Sequence, residues 1–143
     1  MEHLIPARQR PLLNDLGLLI LRLWIGGAML FAHGMPKLLS FSERAETFAD
    51  PLGLSSPVSL TMAVGAEVGA SILLMLGLGT RFVSVPLLFT MLMAAFVIHG
   101  DDPWQKKEFA LMYAFPYITF ILTGPGRFSL DHLIARKKGD FAT

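Results

Sequence analysis

Four ionisable side chains stand inside stretches of this sequence that are otherwise apolar. They are Arg22, His33, Glu67 and His99. If such stretches cross a membrane, each ionisable group costs about 2.5–3.5 kcal/mol or more to insert, so each is a functional candidate by default. A carboxylate and an imidazole can carry protons and hydrogen-bond a carbonyl oxygen, and histidine titrates near neutrality. The residue types therefore favour proton transfer or polar recognition in an apolar environment.

The elements that would position these groups are long apolar helices. Hydrophobic residues make up 53% of the 143-residue chain and charged residues 16%, whereas a soluble domain is roughly 25% charged. The predicted spans are residues 16–35, 58–79, 82–99 and 108–123. At a helical rise of 1.5 Å, the first span reaches about 30 Å, the thickness of a hydrocarbon core. We predict an all-α integral membrane protein, a four-helix bundle forming one domain over residues 1–143. The fourth span is short and contains Pro116, and a tilted span or one kinked at the proline is the alternative there.

The distribution of cations predicts the orientation. One side of the bundle would carry Arg8, Arg10, Arg81, Arg127, Arg136, Lys137 and Lys138, and the other Lys37, Arg44, Lys106 and Lys107. The richer side faces the cytoplasm by the positive-inside rule, which puts both termini there. The net charge of +1 gives no electrostatic case for nucleic acid. The absence of cysteine excludes disulfides, thiolate-ligated zinc and iron–sulfur clusters within this chain.

Arg22 and Glu67 are candidates for a buried ion pair. Arg22 lies about 10 Å inside the first span and Glu67 about 14 Å inside the second, counted from opposite ends. The long side chain of Arg22 would cover the remaining difference in depth. The alternative is that Arg22 extends to the cytoplasmic headgroups while Glu67 stays protonated.

The two histidines lie at the same predicted depth, at the outer ends of the first and third spans. Lys37 and Trp104 follow them closely in the sequence, so polar groups gather at one extracytoplasmic mouth. Paired imidazoles are compatible with haem or metal ligation, and a histidine with a carboxylate is compatible with binding a quinone and carrying its protons. The third interpretation is that the histidines mark helix ends and Trp104 belongs to the interfacial aromatic belt.

Several motifs resemble the DoxX family over most of the chain. They are Arg22-Leu-Trp-Ile-Gly26-Gly27, Phe31-Ala-His33-Gly34-Met-Pro-Lys37, Glu67, Gly77-Leu78-Gly79-Thr80-Arg81, His99-Gly100 and Gly124-Pro125-Gly126-Arg127-Phe-Ser129-Leu130-Asp131. The resemblance implies a four-helix, multi-pass protein of the bacterial inner (plasma) membrane. Relatives include DoxD-type subunits of thiosulfate:quinone oxidoreductase, and others are connected with thiol or oxidative-stress handling beside partner enzymes. The polar residues that match the family are Arg22, His33, Lys37, Glu67, Arg81 and His99.

Three functions follow as hypotheses. The first is a membrane subunit of a quinone-linked oxidoreductase, whose electron donor is a separate polypeptide. Its candidate catalytic residues are Glu67, His33, His99 and Arg22, and its candidate quinone-binding residues are His33, Lys37, Glu67, His99 and Trp104. The second is a membrane scaffold or assembly partner whose buried polar groups only build the bundle. The third is a carrier of a small solute coupled through Glu67. Faces of small residues at 65–71 would also permit a homo-oligomer.

Overall fold

The computed structural model of the chain describes residues 10–140. Its helices are α1 (Arg10–Met29), α2 (Met35–Leu39), α3 (Phe41–Arg44), α4 (Ser56–Val64), α5 (Ser71–Leu76), α6 (Thr80–Met93), α7 (Trp104–Thr123) and α8 (Leu130–Asp140). Three π-helical turns join or extend them, at Leu30–Gly34, Gly65–Ala70 and Ala94–Ile98. Arg8 and the side chains of Arg10 and Lys138, on which the predicted orientation partly rests, lie outside what the structure describes.

The π-helical turns run without interruption into the α-helices beside them, which gives three long segments, and α7 is a fourth. The first three are long and apolar enough to cross a membrane, at Pro11–Leu39, Ser56–Leu76 and Thr80–Ile98. These correspond to the first three predicted spans, although the first helix extends beyond its predicted bounds at both ends. The fourth segment is α7, which packs along α6 and continues helically through Pro116. Lys106, Lys107 and Glu108 occupy its first turns, and its crossing of the membrane stays a prediction.

A two-glycine turn connects the second and third segments. Gly77 and Gly79 have φ angles of 70° and 60°, which glycine adopts without the steric cost that a Cβ atom brings. The amide of Gly77 donates to the carbonyl of Leu74 and that of Leu78 to the carbonyl of Leu73, which closes the helix. The two segments therefore run antiparallel as neighbours, as the sequence predicted.

The core lies between the segments, and the outer faces are apolar as well. Fully buried core side chains include Met29, Leu74 and Phe120. Large apolar side chains such as Trp24 and Phe82 are nonetheless among the most exposed of the chain. Water would penalise such surfaces, whereas lipid solvates them, so the burial pattern agrees with a multi-pass membrane protein.

The segments define two ends of the molecule. We call one the termini end, where the start of α1, the Gly77–Thr80 turn and the link from α7 to α8 meet. We call the other the loop end, where α2, α3, residues 45–55 and the turn at Gly100–Pro103 lie. Each end holds one group of buried polar side chains.

Candidate functional site

A cavity of about 360 Å³ opens at the loop end. All four segments and residues 48–52 contribute to its wall, which is mostly apolar. The side chains on the wall that carry a polar group are His33, Lys37, Ser59, Glu67, Thr90, His99, Lys106 and Tyr113. Four of the five residues predicted to bind a quinone therefore line one cavity. The fifth, Trp104, is not part of this wall and is 61% exposed at the start of α7.

An ion pair between Lys37 and Glu67 forms part of this wall. The ammonium of Lys37 donates to Oε2 of Glu67 at 2.6 Å, with side-chain exposures of 20% and 4%. Gly34 makes the approach of the two helices possible, because a Cβ atom there would lie 2.8 Å from the carbonyl oxygen of Glu67. Lys37 follows Gly34 by one turn and thus reaches over the carboxylate.

His33 presents a buried nitrogen that has no partner. Among the described residues, none lies within hydrogen-bonding reach of its Nε2 atom. Its ring packs edge-on against Tyr113, with centroids 5.3 Å apart, and lies 5.9 Å from the ring of Phe109. A buried polar nitrogen without a partner is costly in an apolar setting. Because His33 lines the cavity, a ligand there is one means of satisfying it.

His99 stands at the edge of the cavity with charged neighbours. Its Nδ1 atom lies 2.6 Å from Oδ2 of Asp102, and the ammonium of Lys106 lies 3.2 Å from the same oxygen. The hydrogen bond with His99, followed by that with Lys106, holds the pKa of Asp102 below its ordinary value. The three groups form a chain of titratable side chains from the cavity wall to the surface.

The three π-helical turns coincide with the polar wall. His33 lies in the first and Glu67 in the second, while His99 directly follows the third. A π-helical turn adds one residue to a helical turn and so rotates the side chains beyond it, and such turns are frequent at functional sites. No pattern in the sequence predicted them.

Asp50 secures the segment that covers one side of the cavity. Its carboxylate accepts hydrogen bonds from the amides of Leu54 and Ser55 and from the hydroxyl of Ser59, at 2.7–3.0 Å. The bond from Ser59, with smaller help from the backbone amides, lowers the pKa of Asp50. The same contacts stabilise Ser55 at a φ of 112°, which is unusual for a residue other than glycine. Sequence reasoning missed Asp50, although Asp50-Pro-Leu-Gly53 is a typical turn sequence.

Arg22 belongs to the opposite end of the molecule, and the predicted Arg22–Glu67 ion pair is wrong. Arg22 is 1% exposed. It donates to three backbone carbonyls, those of Met75 at 3.2 Å, Pro125 at 2.7 Å and Phe128 at 2.5 Å. Side chains lean toward the N-terminus of their helix, so Arg22 points to the termini end, away from Glu67. We call this arrangement the Arg22 carbonyl site.

The surroundings of the Arg22 carbonyl site are packed without space for a ligand. A Cβ atom on Gly77 would lie 2.6 Å from Cβ of Ser129 and 2.8 Å from Nη1 of Arg22. The carboxylate of Asp131 accepts hydrogen bonds from the amides of Gly79 and Thr80, at 2.7 and 3.0 Å. This end of the molecule therefore joins the turn at Gly77 to the C-terminal link, and Arg22 has no open side toward a substrate.

Comparison with known proteins gave a family and one distant relative. The family model of DoxX matches residues 17–100. An uncharacterized protein of Haemophilus influenzae is 29% identical over an alignment of 131 positions, and the match covers 86% of each chain. No solved structure matches. The matched region contains Arg22, His33, Lys37, Glu67 and His99.

Proposed function

The chain belongs to the DoxX family, and on that premise we propose that it is a membrane subunit of a quinone-linked oxidoreductase. The cavity at the loop end is the proposed quinone site. The electron donor is a separate polypeptide, because quinone is the only redox-active group that the proposal assigns to this chain. The proposed location is the bacterial inner membrane, with both termini in the cytoplasm and the cavity toward the periplasm.

The observation that carries the proposal is the unpartnered Nε2 atom of His33 on a mostly apolar wall. Ligand pockets are typically apolar, with a few polar groups that fix orientation. A quinone has an apolar body and two carbonyl oxygens that accept hydrogen bonds. A protonated Nε2 of His33 would donate to one of them, and the rings of Phe109 and Tyr113 would pack against the quinone ring.

The remaining polar groups suit the proton balance of quinone chemistry. Reduction of a quinone to a quinol consumes two electrons and two protons. The Lys37–Glu67 pair lies on the same wall as His33 and can exchange a proton, while His99 and Asp102 link the wall to the surface. Arg22 has no part in this mechanism, since its donors are occupied by carbonyls at the other end.

The first experiment is gentle purification in detergent, followed by mass spectrometry of the extracted lipids and a visible spectrum. We expect a quinone to co-purify with the native chain and to be lost from His33→Leu. The matched control is His132→Leu, which removes a half-buried histidine at the termini end. Equal quinone content in the two variants contradicts the assignment of His33.

A second pair of variants tests whether the quinone occupies the cavity. Ala63 lines the cavity, so Ala63→Phe should fill it and abolish quinone retention. Ala32 is exposed and is not part of the wall, so Ala32→Phe should leave retention unchanged. If both variants keep the quinone, it binds elsewhere. A haem spectrum that disappears in His33→Leu would instead assign the cavity to haem.

The two other hypotheses are outcomes of further measurements. A folded native chain without any extractable ligand, which recovers a partner protein from the membrane, would replace the proposal by the scaffold hypothesis. Proton-driven solute flux in liposomes that is lost in Glu67→Gln would replace it by the carrier hypothesis. A reporter fused to the C-terminus tests the orientation, and a periplasmic reporter signal would reverse it.

A further inference from the structure

The C-terminal helix α8 presents an apolar face to its surroundings. Leu130, Leu133 and Ile134 follow the helical spacing of three and four residues and therefore share one face. All three are exposed, and Leu133 is 52% exposed. Phe128, in the link before the helix, is exposed as well. No other described part of the chain covers this face.

The first turn of α8 is attached to the protein. Asp131 is bound through its carboxylate to the amides of Gly79 and Thr80, and its own amide donates to the carbonyl of Gly77. Gly77–Thr80 is the turn between two membrane-spanning helices, so it lies at a bilayer boundary. The helix therefore starts at the depth of the lipid headgroups, with its apolar face exposed.

Basic side chains accompany the apolar face. Arg136 and Lys137 are exposed on α8, and Arg127 and Arg81 are exposed beside its start. The one acidic side chain among Leu130–Lys137, that of Asp131, is bound to backbone amides and half-buried. Apolar residues next to lysine and arginine are typical of helices that lie in a membrane interface and bind anionic lipids.

We propose that α8 lies flat in the interface and forms a binding site for anionic phospholipid headgroups. Leu130, Leu133 and Ile134 enter the acyl boundary, and Arg136 and Lys137 contact the phosphates. Charge complementarity favours an anionic bilayer over a second copy of this chain, because the same face of a second copy would carry the same cations. The inference does not depend on the quinone assignment.

The insertion of α8 is tested on the full chain in liposomes. A Leu133→Trp variant in a Trp24→Phe, Trp104→Phe background provides one fluorophore on the apolar face. Lipids brominated near the headgroup end of the acyl chain should quench it strongly. Unquenched fluorescence would overturn the proposal. Weak quenching that falls as the protein content of the liposomes rises would overturn it in favour of a contact between copies.

The headgroup preference is tested by native mass spectrometry after incubation with equal amounts of phosphatidylglycerol and phosphatidylcholine. We expect the native chain to retain phosphatidylglycerol preferentially, and the preference to fall about fivefold for each cation removed in Arg136→Gln/Lys137→Gln. The control for each single variant, Arg136→Gln or Lys137→Gln, is Arg44→Gln, which removes one exposed cation at the loop end. Equal phosphatidylglycerol retention by the control and the single variants would overturn the proposal.

Discussion

The two ends of this protein both bury charged side chains, but they use them differently. At the termini end, the guanidinium of Arg22 is occupied by three carbonyls, and Gly77 packs so closely that no space is left. At the loop end, Lys37 and Glu67 pair beside a cavity, and Nε2 of His33 has no partner among the described residues. A buried charge is thus a poor guide to function by itself. Unused hydrogen-bonding capacity is not sufficient either, because the buried hydroxyl of Thr80 at the termini end also lacks a partner among the described residues. Open volume beside the unpartnered atom is what distinguishes the candidate ligand site.

Removal of Arg22 should have the largest effect on stability. We expect Arg22→Leu to lower the free energy of unfolding by more than about 3 kcal/mol, because three carbonyls lose charge-assisted hydrogen bonds. Arg22→Lys should recover part of the loss, since one ammonium cannot reproduce the geometry of a guanidinium. Thermal unfolding in detergent measures both. Arg81→Gln is the control, because Arg81 is exposed and donates one long hydrogen bond, at 3.3 Å. A melting temperature for Arg22→Leu equal to that of the control would contradict a structural role.

Substitutions of Gly77 and Gly53 distinguish the cost of overpacking from the cost of backbone strain. Both have positive φ angles, 70° and 67°, but only Gly77 has atoms close to the position of a Cβ. Gly53→Ala should cost about 1–2 kcal/mol for the left-handed conformation alone. Gly77→Ala should cost about 3 kcal/mol or more, because it adds overpacking against Ser129 and Arg22. Equal losses in chemical unfolding would show that the termini end relaxes freely.

Glu67→Gln tests the loop end, where we expect an effect on ligand retention more than on stability. The amide can still accept a hydrogen bond from Lys37, so the expected loss of stability is small, about 1–2 kcal/mol. Ligand retention by the cavity should nevertheless fall, and His33→Leu should behave in the same way. Unfolding and extracted-lipid analysis are measured on the same preparation. A destabilisation as large as that of Arg22→Leu, with ligand retained, would assign Glu67 to structure.

The smallest expected effect is that of pH on the stability of residues 45–55. The folded state lowers the pKa of Asp50 below its ordinary value of 3.8, chiefly through the hydrogen bond from Ser59. The stabilisation is therefore present above about pH 4 and is lost as the pH falls through the folded pKa. Limited proteolysis should cut this segment faster at pH 3 than at pH 5, with an acid-tolerant protease. Asp50→Asn should be cut faster at both values, with little difference between them.

Much of the candidate site was predictable because its residues share a depth. His33, Lys37 and His99 all follow or end apolar runs, and the ends of spans on one side of a bilayer must lie at one level. Their grouping with Glu67 in one cavity is consistent with that reasoning. Asp50 was recognisable in principle from its turn sequence. The partners of Arg22 were not predictable, because they are backbone carbonyls from distant parts of the chain and hydropathy gives only the depth of a side chain along the membrane normal.

That the chain is helical, apolar and able to cross a membrane follows from local stretches of its sequence, because hydropathy and helical pattern are summed over such stretches. The tertiary structure decided which polar groups meet. The three carbonyls that bind Arg22 belong to residues that are 53, 103 and 106 positions away from it in the chain. These carbonyls accept no helical hydrogen bond, because α5 ends near the first and the link between α7 and α8, which holds the other two, is not helical. The π-helical turns, the unpartnered nitrogen of His33 and the uncovered face of α8 likewise depend on how the segments pack against one another. Packing between distant segments is a non-local property, and no stretch of the sequence contains it.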